Sequence, residues 1–94
     1  MSDPSFPQQR HAFDWQIAAG KRVVGAFLQD YVGSKDLLIH GWYTPDGPFA
    51  THILQFDLEG QPHLLSLPFE DLMDLPKSTE IQYRLRRTLG FLCK

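Results

Sequence analysis

Two turn sequences constrain this chain most, because they divide the apolar stretch 35–67 into three short segments. Thr44-Pro45-Asp46-Gly47 combines a proline, which presets φ, with a glycine, which allows positive φ. Glu59-Gly60 marks the second turn. The segments around these turns are rich in β-branched and aromatic residues and cover 36–43, 49–58 and 63–67. We therefore predict a three-stranded antiparallel meander.

A helix is predicted before the meander, over residues 14–32. As a helix, this segment gathers its large apolar side chains within an arc of about 100°. The residues on that arc are Ile17, Gly20, Val24, Phe27, Leu28 and Tyr31. As a strand, the segment would place Asp30 in line with Val24 and Leu28. Asp14 is the expected N-cap, and Gly33 suits the left-handed position after the last turn.

Prolines delimit the elements that follow. Pro62 and Pro68 bracket the third strand, which places it at a sheet edge, since proline cannot donate to a ladder. Residues 68–75 suit a short helical turn that ends at Pro76. Ser78 then caps a last helix whose apolar face is Ile81, Leu85, Leu89 and Leu92. The predicted fold class is α+β, in the order α-β-β-β-α with the helices packed on the sheet.

Ninety-four residues suit a single domain, which we place at 13–94 after a flexible arm over 1–12. Cys93 is the sole cysteine, which indicates a reducing compartment. The amino-terminal segment lacks the apolar core of a signal peptide, and no apolar run approaches the ~20 residues of a membrane span. We expect a cytoplasmic protein with no membrane partner.

Charge is divided between the body and the tail of the chain. Residues 1–76 carry four basic and ten acidic residues, and residues 77–94 carry five basic residues and one acidic residue. The net charge of −2 argues against a general nucleic-acid binder. Double-stranded-RNA-binding domains share this element order, but here the last helix begins Lys77-Ser78-Thr79-Glu80, without a lysine cluster. Nucleic-acid binding through the arginines of that helix remains the alternative function.

Both faces of the predicted sheet are apolar, which is unusual for a sheet with one solvated face. With Tyr43 paired to Phe49, each face carries several large apolar side chains. One explanation is a helix on each face. A second is that one face, rimmed by Trp42 and Tyr43, meets another protein or a second copy of the chain. A third is a small-molecule pocket between the sheet and a helix.

No catalytic or cofactor signature is present. The same register sets His40 opposite His52, a pair that suits a pH-sensitive contact better than a metal site, because no third ligand is near. The acidic residues Glu70, Asp71 and Asp74 suit a solvated helix start. No P-loop, dinucleotide glycine pattern or nucleophile elbow occurs. We expect no enzyme activity, no metal and no cofactor.

The expected function is that of a protein-interaction module: a regulator, adaptor or inhibitor that binds another protein or a second copy of itself. Aromatic side chains and arginines carry most interface energy. The predicted contact residues are Trp42, Tyr43 and Phe49 around the first turn and Arg84, Arg86 and Arg87 on the last helix.

Overall fold

The structure, a computed structural model, describes the backbone of residues 5–92 and the side chains of residues 13–92. Its elements are α1 (Ser5–Val32), β1 (Leu37–Tyr43), β2 (Thr51–Leu58), β3 (Gln61–Pro68), α2 (Phe69–Asp74) and α3 (Thr79–Leu92). The strands form one antiparallel sheet in the order β1-β2-β3. The predicted α+β fold and its element order are confirmed, as is the position of β3 at an edge.

The first helix begins earlier than predicted. Its backbone is helical from Ser5, so Asp14 lies inside the helix and is not its N-cap. Pro7 is compatible with this start, because the first turn has free N–H groups in any case. Residues 1–4 of the expected arm and Cys93 lie outside the described residues. The mobility of the arm and the domain boundary at residue 13 stay predictions.

Two predicted caps are present. Gly33 has φ +61° after the last turn of α1, and its N–H donates to the carbonyl of Gln29 at 3.0 Å. At the start of α3, the Ser78 hydroxyl accepts a hydrogen bond from the Ile81 N–H at 3.2 Å. Each cap satisfies a backbone group that a helix end would otherwise leave free.

The two hairpins differ in the length of their loops. Glu59 and Gly60 alone join β2 to β3, and their φ values of 51° and 80° suit a type I′ turn. The first connection is longer, because a turn from Thr44 to Gly47 is followed by another from Gly47 to Ala50. As a result, β2 begins at Thr51 rather than residue 49.

The predicted pairing of the first hairpin is therefore wrong. Tyr43 pairs with Ile53, not with Phe49. Pro48, which has no N–H to donate, follows Gly47 and prolongs the connection. The different register also changes the predicted contacts of the two histidines. His40 forms a hydrogen bond with Asp57 at 3.0 Å, while His52 bonds the Pro48 carbonyl at 2.8 Å. The pair of opposed histidines does not exist.

All three helices lie on one face of the sheet. The central strand β2 turns every second side chain toward them, and these side chains are buried: His52, Leu54, Phe56 and Leu58. They share one core with side chains from the helices and from β3. The alternative arrangement, with one helix on each face, is wrong. Within residues 5–92, no helix lies over the opposite face, which is called the outer face below.

A glycine fixes how closely α1 approaches α2. A Cβ built on Gly20 would overlap the backbone carbonyl of Leu72, so only glycine fits at this crossing. This close approach is made to the short helix and not to the sheet. Gly25 is different, because a Cβ there would meet nothing within 4 Å.

We predict opposite effects for the same substitution at these two glycines. Gly20→Ala should lower the free energy of unfolding by about 1–3 kcal/mol, because the backbone of α2 must move. Gly25→Ala should raise it by about 0.5–1 kcal/mol through helix propensity alone. Urea denaturation of both variants measures this, and equal effects would contradict the close approach.

Candidate interaction surfaces

The outer face exposes apolar side chains from all three strands. Leu38 is 58% exposed and Leu64 is 54% exposed, on the two edge strands. Tyr43 and its partner Ile53 lie on the same side, since residues paired across antiparallel strands point the same way. We define the outer patch as Leu38, Tyr43, Ile53 and Leu64. Isolated exposed apolar residues are ordinary, whereas four apolar residues on one open sheet face make the outer patch a candidate interaction surface.

The outer face is also almost free of charge. Its polar positions include Thr51, Gln55 and Ser66, which are neutral. Its one carboxylate, Asp57, is in contact with His40. His40 lies at a bulge where β1 has one residue more than β2, and the bulge lets its side chain reach Asp57. Depletion of charge is typical of the centre of a protein interface.

A second surface is formed by three phenylalanines that we call the phenylalanine cluster: Phe13, Phe49 and Phe69. They come from α1, from the first connection and from the start of α2. Their ring centroids are 5.3–6.4 Å apart in edge-to-face arrangements. Phe49 is 65% exposed despite these contacts. The sequence predicted that Phe49 pairs with Tyr43, but Phe49 precedes the start of β2 and lies in this cluster.

Trp42 and Tyr43 lie on opposite sides of the sheet. Trp42 pairs with the buried Leu54 and packs half-buried against the core. The Lys21 ammonium lies 5.2 Å from the centre of its ring. Tyr43 is on the outer face. The three aromatic residues predicted as one contact site therefore belong to three places: the core side, the outer patch and the phenylalanine cluster.

The arginines of α3 make contacts within the chain. The Arg86 guanidinium lies 4.4 Å from the centre of the Phe27 ring on α1. An Arg84 nitrogen is 3.9 Å from an Asp71 carboxylate oxygen, and Arg87 lies 5.9 Å from the Tyr83 ring on its own helix. All three side chains are exposed, so these contacts are weak. They point in different directions and do not form one stripe.

Other candidate groups stay separate. Of the three acidic residues around α2, Asp71 faces Arg84, while Glu70 and Asp74 are exposed. Among the described residues, no three His, Cys, Asp or Glu side chains are grouped as a metal site would require.

The prediction from sequence missed several exposed residues. The position of Leu38 and Leu64 on the outer face follows only from the correct register. The strand pattern itself indicated that Leu64 and Leu65 face opposite sides of the sheet. No sequence pattern indicated that Phe69 belongs to the phenylalanine cluster, because the cluster is assembled from three distant segments. Trp15 is largely exposed on α1, and its position off the apolar arc was the signal for that.

Comparison with known proteins does not assign a function to this arrangement. No protein-family model, curated protein or solved structure matches the chain. No helix in the part of the chain that the structure describes has the length and apolar character needed to cross a membrane. The functional interpretation rests on the surfaces described above.

We predict that Arg86 stabilises the fold more than Arg87 does. Arg86→Gln removes a cation from the face of Phe27 and should lower the free energy of unfolding by about 0.5–1 kcal/mol. Arg87→Gln, with the more distant Tyr83 ring, is the matched control and should change it by less than ~0.5 kcal/mol. Chemical denaturation compares the two, and an equal loss would contradict the packing of Arg86 on α1.

We also predict no tight nucleic-acid binding by Arg84, Arg86 and Arg87. Phosphates would compete with Asp71 for Arg84 and would act against a body of net negative charge. Titration of duplex and single-stranded RNA and DNA at two salt concentrations measures this, with the triple Arg→Ala variant as control. Micromolar binding that weakens steeply with salt and disappears in the variant would establish the alternative function.

Proposed function

We propose that this chain is a small cytoplasmic protein-interaction module, a regulator or adaptor that acts by binding protein rather than by catalysis. The observation that carries the proposal is the outer patch: four apolar side chains on an open sheet face with a single carboxylate. Burial of such a surface against protein is favourable because it removes apolar area from water without removing many charges. The single cysteine supports a reducing compartment.

The occupant we propose for the outer patch is a second copy of the chain. Two identical faces can meet only if they do not repel each other, and a face with one carboxylate beside a histidine meets that condition. Sheets pack face to face at a spacing of about 10 Å, which large side chains such as Tyr43 and Leu64 can fill. Both leucines of the patch lie on edge strands, so a two-fold axis parallel to β2 brings one copy's β1 near the other's β3.

We predict that the wild-type chain sediments as a dimer at micromolar concentration. Leu64→Lys places a charge on the outer patch of both copies and should weaken the dimer by about tenfold or more, while the fold is retained because the side chain is exposed.

The matched control is Tyr83→Lys, which introduces the same residue at an exposed aromatic position on α3, away from the sheet. It should leave the dimer unchanged. A wild-type monomer at these concentrations, or equal weakening by both variants, would contradict the proposal. Sedimentation equilibrium gives the dissociation constants directly.

A further inference from the structure

A pocket of about 440 Å³ lies on the helix side of the sheet, away from the outer patch. It is bounded by α1, by the connection between β1 and β2, and by the first residue of α2. Much of its wall is the phenylalanine cluster, with Ile17 and Pro48 between the rings. This volume is within the range of small-molecule sites, and an apolar wall with few polar groups is their usual composition.

The polar groups of this pocket are few and distinct. Lys21 and Asp14 line it from α1, seven residues apart, which is about 10 Å along a helix. The Lys21 ammonium forms no ion pair with any described side chain, and it lies 5.2 Å from the centre of the Trp42 ring. Partial burial lowers the pKa of the Lys21 amine, because a desolvated ammonium is less stable. An anionic partner would offset that desolvation.

A second feature of the wall is His52. It is 4% exposed, and its Nε2–H donates a hydrogen bond to the Pro48 carbonyl at 2.8 Å. Its Nδ1 is buried without a hydrogen-bond partner, one of two such side-chain atoms among the described residues. Buried polar atoms of folded proteins are nearly always satisfied. The bond to the Pro48 carbonyl fixes the orientation of the His52 ring in the wall, and Lys21 is the described lining side chain that offers a cation.

We propose that this pocket binds a small amphipathic carboxylate, with its apolar body among Phe13, Phe49 and Phe69 and its carboxylate at the Lys21 ammonium. Aromatic bodies fit best, because the cluster offers ring edges and faces to a further ring. Asp14 at the other end repels a second carboxylate, so the ligand is a monocarboxylate. The site is independent of the outer patch, and either can exist without the other.

The test uses 4-phenylbutyrate as the probe, with 4-phenylbutan-1-ol as its neutral analogue. Amide chemical-shift titration of the wild-type chain should show saturable binding of the acid, with shifts confined to the pocket. Lys21→Met keeps an unbranched apolar stem and should weaken binding of the acid by about tenfold or more. The alcohol should bind the wild type and this variant equally weakly. Lys35→Met, on the exposed turn after α1, is the matched control and should change nothing.

Phe49→Ala provides a second test of the apolar part of the site. Its side chain is largely exposed, so the fold should survive while the affinity for both the acid and the alcohol falls. Absence of saturable binding up to about 10 mM acid, or equal binding by Lys21→Met, would overturn the proposal.

The source of the carboxylate is distinguished by a further probe. An acetylated tripeptide that ends in phenylalanine carries the same chemistry at a protein C-terminus. Tighter binding of the tripeptide than of 4-phenylbutyrate would identify a peptide terminus as the ligand, and the reverse would identify a free acid. Binding of neither overturns the proposal.

Discussion

The whole arrangement depends on which of the two alternating sets of β2 side chains faces the helices. A strand can bury only alternate side chains on one side, and here those are Leu54, Phe56 and their neighbours in phase. A slip of one residue would turn them to solvent and bring Ile53, Gln55 and Asp57 to the core. Gly20 lets α1 settle against α2, and side chains of both helices share one core with this strand. Because the helices pack on the face that carries Leu54 and Phe56, the opposite face of the sheet stays uncovered.

Much of the fold could be predicted from local sequence signals. The left-handed glycine after α1, the Ser78 cap and the Glu59-Gly60 turn each depend on neighbours within a few residues, and each is present. The start of α1 and the register of the first hairpin were wrong. That register depends on the length of the first loop, which Pro48 and the turn from Gly47 to Ala50 extend. Phe49 then packs against rings from α1 and α2, and no local signal indicates those distant contacts.

The predicted contact residues illustrate the same limit. Residue type indicated which side chains could carry interface energy, but the face on which each lies depends on the register. Trp42 and Tyr43 are adjacent in sequence, yet one packs against the core and the other meets solvent. The arginines of α3 are exposed, and their contacts to Phe27 and Asp71 needed the relative placement of the helices. Only the strand pairing shows that Leu38 and Leu64 lie on the same exposed face.

The two sheet edges have a consequence for assembly. An open edge can recruit strand after strand and lead to fibres. Here β3 carries Pro62 and Pro68, each lacking an N–H, and β1 is interrupted by the bulge at His40 with Gly41 at φ +134°. Both edges are poor templates, so growth by strand addition is hindered on either side. The dimer proposed for the outer patch would bury the exposed sheet face in a single step and leave two edges that resist further strand addition.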